Sequence, residues 1–272
     1  MLWVGHATVL IRMGERYVLT DPVFSRTVGT LSPRLVEPGV PVDEVPKLTA
    51  TLVSHAHFDH LSFASLEALG ARTGTLLVPL GILNYLPRFP FAQHGLGPWS
   101  STVLDAVKIT AAPVLHPGGR YGLDESTCAD CATGYLIDHD GWTIYFGGDT
   151  AYAPAQFEAT RARYPRIDLA ILPICPIAPR DFMRKTHMDP AEALRAYQIL
   201  GATWMMPIHF DTFINSDDAA GDCSKELHAN MDRMGVLSSE VIELKVGERR
   251  VIMDRDARHE RTNERTNEVK VD

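Results

Sequence analysis

The sequence predicts an α/β fold in which strands outnumber helices. Short apolar, β-branched runs recur along the chain, helix-patterned stretches separate several of them, and histidine and aspartate gather directly after several runs. Apolar residues make up 45% and charged residues 22% of the 272, a balance that can bury a sizeable core.

In chain order, the opening LWVGHATVLI and the following RYVLTDP flank the polar RMGER with its glycine, and read as an antiparallel pair. Further strands are expected at ATLVSH, TLLVP, VKITAAPVLH, GYLIDHDGWTIYFGGD, DLAILPI, TWMMPIH, EVIELKV and RRVIMD. Inside GYLIDHDGWTIYFGGD, Asp140-Gly141 is a hairpin signal, because both central positions of a type I′ turn need positive φ. Helices are expected at SFASLEALGA, PAQFEATRARY, DPAEALRAYQILGA and DCSKELHANMDRMG. The third has the best-defined start: Asp189 caps it, Pro190 suits the first helical position, and Glu192 stands three residues after the cap. The stretch PRFPFAQHGLGPWSS reads as a long surface loop. Residues 1–253 therefore form one domain, and residues 254–272, almost free of apolar side chains, form a polar tail expected to be disordered.

A formal charge of -8 argues against nucleic acid as the main partner. No apolar run is long enough to span a bilayer; the best candidate, LAILPICPIAP, is broken by prolines. Peripheral membrane contact has no support in the sequence. The opening MLWVGHATVLI lacks the pattern of a secretory leader, so a cytoplasmic chain is expected. Four scattered cysteines do not make a disulfide framework; Cys128 and Cys131, at CxxC spacing, read as two surface thiols.

The stretch LVSHAHFDHLS carries the chemistry. In extended chain, residues two apart face the same side, so His55 and His57 can hold one ion together. Asp59 and His60 lie where the chain turns toward a helix that Ser62 can cap, and aim at a second point nearby. Imidazole nitrogens and carboxylate oxygens suit zinc, and imidazole also suits iron. His116, Asp149 and His209 each stand directly after a β-like run and can supply the remaining ligands. One such residue alone is more often a turn residue; together with the cluster, in this order, they make a set.

HxHxDH, a distant histidine, GDT and a terminal histidine resemble the metallo-β-lactamase-fold hydrolases over most of residues 1–215. More narrowly, GHATVLI, LTDPVFS, SHAHFDHL, FGGDTAY, PRDFMRKTHMDPAEAL and IHFDTF look like the branch that contains N-acyl-phosphatidylethanolamine-hydrolysing phospholipase D, with ascorbate-6-phosphate lactonase-like proteins as neighbours. The resemblance implies a four-layer αββα sandwich with a dinuclear centre. His55, His57 and His116 would hold one divalent ion, Asp59, His60 and His209 the other, and Asp149 would bridge them. Zinc is the expected metal, with manganese, iron and nickel also compatible. A metal-bridging hydroxide would then be the nucleophile. Where the relatives carry aspartate after DHL, this chain has Ser62.

The resemblance also implies roles around the centre. His6 would support it from below, bonding Asp21 or a ligand carboxylate. His187 lies in a stretch similar to the family's HMNP motif and would protonate a leaving group or grip a phosphate, against the simpler reading of a solvated loop histidine. Arg180, in a basic run with Arg184 and Lys185, would pair with a phosphate. The catalytic candidates are Asp59, His187 and Arg180. Ser54 lacks a nucleophile-elbow context, and HPGGRYG lacks the features of a phosphate-binding loop. The expected reaction is hydrolysis of a phosphodiester, lipid-derived or another small diester. A lactonase acting on a phosphorylated sugar lactone is the alternative, and an iron oxidoreductase of the same fold fits less well.

Overall fold

The computed structural model describes residues 1–29, 32–122, 124, 128 and 130–252, so the expected polar tail, 254–272, lies outside the described residues. The first sheet contains β1 (Leu2–Gly5), β2 (Thr8–Met13) and β3 (Arg16–Thr20); a small ribbon of β4 (Thr27–Val28) and β5 (Ser32–Pro33) follows, and β6 (Leu48–Leu52), β7 (Thr73–Pro79) and β8 (Ala92–Leu96) complete the sheet in the order β1-β2-β3-β6-β7-β8. The second sheet holds β9 (Ser101–Leu104), β10 (Val107–Ala112), β11 (Gly134–His139), β12 (Trp142–Phe146), β13 (Leu169–Pro173) and β14 (Trp204–Ile208), ordered β14-β13-β12-β11-β10-β9. The α-helices are α1 (Phe63–Leu69), α2 (Pro154–Arg163), the single turn α3 (Arg180–Met183), α4 (Pro190–Leu200) and α5 (Asp222–Met234).

The expected early pairing is present as β2 against β3, antiparallel with Ile11 opposite Val18. β11 and β12 form the expected hairpin, with Asp140 at φ 53° and Gly141 at φ 77°, as a type I′ turn requires. Inward residues of both sheets, among them Val9, Leu52, Leu77, Ile109, Tyr135 and Ile144, share one buried cluster with Leu194 of α4 and Leu227 of α5. The Tyr135 hydroxyl crosses between the sheets to donate to the Val53 carbonyl at 2.8 Å. On the other side, Leu66 of α1 packs with Val53, Leu76 and Val78. This is the αββα sandwich.

Several expectations need correction. The segment expected to be a surface loop contains β8, a parallel edge strand beside β7; its polar Gln93 and His94 and its Gly95 hide the strand pattern, and a Cβ at Gly95 would meet Leu83 at 2.6 Å. EVIELKV forms no strand, making one bridge from Val241 to Met205 of β14. Met205 N–H donates to Glu240 and Ile242 N–H donates back to Met205, but the next outward-facing position on β14 is Pro207, which has no N–H to extend the ladder. Within RRVIMD, Arg249 makes one bridge with Leu2.

The cysteines also depart from the expected free thiols. Cys128 is bonded to Cys131, with Cα atoms 5.6 Å apart, and Cys175 to Cys223, with Cα atoms 6.2 Å apart. Both separations suit a disulfide. The second joins the loop after β13 to the start of α5, positions 48 apart in sequence that only the fold brings together. Among the described residues, no helix is long and apolar enough to cross a membrane.

Candidate metal centre

β3 and β6 run parallel, as do β12, β13 and β14, and β10 has the same direction as β12 because each is antiparallel to β11. The C-terminal ends of these strands meet along one edge of the sandwich. Asp21 follows β3; His55, His57, Asp59 and His60 follow β6; His116 follows β10, Asp149 follows β12 and His209 follows β14. All seven residues expected to be ligands are brought together there, with His6, Asp21 and His187 around them.

His57 Nδ1 lies 2.9 Å from His55 Nε2 and 3.3 Å from His116 Nε2. Nitrogens around a tetrahedral ion with bonds of 2.0–2.1 Å stand about 3.3 Å apart, so these separations match a shared coordination sphere. In a second group, His60 Nε2 and His209 Nε2 are 3.2 Å apart, and Asp59 Oδ2 is 3.6 Å from each. Asp149 lies between the groups: Oδ1 is 3.1 Å from His209 Nε2, while Oδ2 is 3.3 Å from His60 Nε2 and 4.0 Å from His116 Nε2. Asp149 Oδ1 is buried and satisfied by no hydrogen bond. A buried carboxylate oxygen facing the acceptor nitrogens of converging imidazoles fits a divalent cation.

The other ring nitrogens have fixed partners. His60 Nδ1 donates to Asp21 Oδ2 at 2.7 Å, and His116 Nδ1 donates to the Thr186 carbonyl at 2.8 Å. Ser54 Oγ donates to Asp21 Oδ2, so His55 Nδ1, 2.9 Å away, donates to it. Each of these bonds leaves Nε2 as the lone-pair nitrogen turned to the centre. His6 Nε2 bonds Asp59 Oδ2 at 2.9 Å, as expected for a supporting residue bonded to a ligand carboxylate. Its carbonyl accepts from His209 N–H at 3.2 Å. His6, Asp21 and His209 all sit at positive φ, 55°, 33° and 69°, strained conformations that tertiary contacts hold at the site.

Burial dominates the ionisation of the outer imidazoles. It lowers His6 and His116 to about 3, and drops His55 well below the usual histidine range. For His60 and His209 burial acts in the same direction, but Asp149 and neighbouring carboxylates outweigh it, raising His60 well above its usual range and His209 to about 9. Burial works against the charge of Asp59 and Asp149 too; the surrounding histidines overcome it and hold both well below the usual carboxylate range.

His187 is in the centre rather than in solvent. Its Nδ1 is 3.5 Å from Asp149 Oδ2 and has no hydrogen-bond partner, and burial lowers the ring to about 4. Arg180, expected to pair with a phosphate, has its guanidinium bonded to both partners of the α4 capping box, Asp189 at 3.2 Å and Glu192, and donates to the His187 carbonyl at 3.1 Å. In this position it staples the helix start to the His187 loop.

Two positioning groups escape a sequence reading. Arg120, buried at 7% exposure, donates to the carbonyls of Ala56 and Leu61 at 2.9 and 3.0 Å, with its guanidinium over the rings of Phe58 and Phe63. It clamps the histidine loop from HPGGRYG, where only the wrong motif for a phosphate loop was legible. Gly148 is the other, at φ +56°, where a Cβ would stand 2.5 Å from Ser54 Cβ. Its missing side chain lets Asp149 approach the loop of His55; the paired glycines before Asp149 were the signal.

Comparison with known proteins agrees with this geometry. Residues 16–210 match the family described as beta-lactamase superfamily domain. A Mycobacterium bovis protein is 32% identical over 222 residues, covering 78% of this chain and 58% of that one. N-acyl-phosphatidylethanolamine-hydrolyzing phospholipase D 1 of Caenorhabditis elegans is 28% identical over 231 residues, covering 78% and 63%. The chain thus spans less than two thirds of the length of these relatives. The structure of Igni18, a metallo hydrolase of Ignicoccus hospitalis, superposes with a TM-score of 0.67 at 21% identity, covering 93% of this chain and 98% of that one. With the family matched over well over half its length and the sandwich in place, the chain belongs to the beta-lactamase superfamily and has the fold of its metallo-hydrolases.

Proposed function

We propose that the chain is a metal-dependent hydrolase that holds two divalent ions and cleaves a phosphodiester. His55, His57 and His116 would hold one ion and Asp59, His60 and His209 the other, with Asp149 placed to serve both. The observation that carries this reading is the position of the Asp149 carboxylate, within 3.1–4.0 Å of histidines from both groups and short of a hydrogen bond on Oδ1. Zinc suits the nitrogen and oxygen donors, as do manganese, iron and nickel. When bound, two such ions activate a shared water and neutralise charge developing on phosphoryl oxygens.

The chain's own residues supply the rest. The bonds from His55, His60 and His116 to Ser54, Asp21 and Thr186 keep the ligand nitrogens aimed before substrate arrives, which lowers the reorganisation that the reaction requires. His187, with 15% of its side chain exposed, has an unpartnered ring nitrogen at the centre and serves the departing oxygen as a hydrogen-bond donor. Arg180 holds the His187 carbonyl and thereby its loop.

The similarity to a phospholipase D supports a diester over a lactone. The phosphorylated-lactone alternative needs a cation for its phosphate, and Arg180 is committed to Asp189 and Glu192. Turnover of bis(p-nitrophenyl) phosphate beside p-nitrophenyl acetate, by zinc-loaded and chelated protein, tests the reading. Metal-dependent diester turnover is expected. Cleavage of the carboxylic ester alone would move the reaction to carbonyl substrates.

A further inference from the structure

A cavity of about 260 Å³ opens beside the metal centre. His209 is part of its lining, and the same imidazole lies 3.2 Å from His60 and 3.1 Å from Asp149, so a group in the cavity stands next to the reacting centre. His209 is buried to 1% exposure, with its Nδ1 unpartnered. Leu35, Phe210, Phe213 and Ile214 give the cavity apolar walls.

Away from His209, the charged side chains of its lining are acidic. Asp211 and Asp218 line it, and among the described residues no lysine or arginine does. Backbone N–H groups fix both aspartates: Gly221 donates to Asp211 at 2.8 Å, and Ile177 and Ala178 donate to Asp218 at 2.7 and 3.0 Å. From Asp211 to Ser224 the chain carries aspartates at 211, 217, 218 and 222 and no basic residue. Arg34 stacks on Phe213, but its N–H groups donate to the carbonyls of Ser25 and Val23 and it does not line the cavity.

With the phosphate facing the centre at its inner end, an apolar pocket whose outer walls carry carboxylates suits an alkylammonium group, whose methyls fill the walls while its charge meets the aspartates. It opposes a second anion, because like charges in a partly desolvated site repel. We propose that this cavity receives the substituent next to the scissile bond, and that it prefers an ammonium-bearing group, making the natural substrate a zwitterionic phosphodiester. The inference rests on the diester reading of the same centre.

Binding separates the two ideas. Metal-loaded full-length protein is titrated with three methyl phosphodiesters whose second alcohol is choline, its uncharged isostere 3,3-dimethylbutanol, or 3-hydroxypropionate, and Kd is read calorimetrically. The choline diester is expected to bind about fivefold more tightly than the isostere, and the anionic diester most weakly. Ile214→Lys, at a wall position 52% exposed and outside the metal centre, is expected to erase the preference for choline while circular dichroism stays unchanged. Equal Kd values for the three diesters, tighter binding of the anionic one, or an unaltered order in Ile214→Lys would overturn the proposal. If the expected order appears but no diester is hydrolysed, the charge preference stands and the diesterase reading fails.

Discussion

Asp21 shows how far the geometry of the candidate centre depends on a residue outside the proposed ligand set. It accepts from His60 Nδ1 at 2.7 Å, from Ser54 N–H at 2.6 Å and from Ser54 Oγ at 2.7 Å, and is fully buried. Through Ser54 it also reaches His55, so one carboxylate orients a ligand in each group. Asp21→Asn is therefore expected to weaken metal affinity by about 10- to 100-fold, as outer-shell partners of metal ligands do; competition with a chelator measures it, and undiminished affinity would deny Asp21 this role. His187→Ala is expected to lower kcat by about 100-fold with metal content intact, and an unchanged kcat would remove His187 from the mechanism. Legibility at this scale followed chemical type. Histidines and aspartates at strand ends announce ligands, whereas Ser54 and the Thr186 carbonyl act through geometry that no residue type advertises.

At the scale of elements, the histidine loop and the start of α4 were legible because each has a local signature: HxHxDH and the Asp189-Pro190-Glu192 cap. What stayed hidden depends on distant partners. Nothing local to EVIELKV shows that Pro207 truncates its ladder, and nothing local to Arg180 shows that both carboxylates of the cap claim its guanidinium. Gly148→Ala is expected to destabilise by about 2–4 kcal/mol, from a strained positive φ plus the contact with Ser54, as read by denaturant unfolding. Arg180→Ala is expected to cost about 1–2 kcal/mol and to lower kcat by releasing the His187 loop; a fall in stability with kcat unchanged would limit Arg180 to capping.

At the scale of the molecule, the sandwich matters because it aligns the C-terminal ends of β3 and β6 from one sheet with those of β10, β12 and β14 from the other. Candidate ligands far apart in sequence, from His55 to His209, thereby meet on rigid strand ends. The Cys175–Cys223 bond ties the loop after β13 to α5 across 48 positions, a closure worth up to about 4 kcal/mol in the chain-entropy picture. Cys223→Ala is expected to lower the Tm and to leave a free thiol at Cys175; a free-thiol assay on the unfolded wild type that finds all four cysteines reduced would refute the bond. Asp149 lies between the two groups of histidines and is proposed to bridge two ions, so the direct test is a count of metal ions per chain, by elemental mass spectrometry, in the wild type and in Asp149→Ala. Two ions in the wild type and no more than one in the variant are expected. Two ions in both, or one in the wild type, would contradict a carboxylate-bridged pair.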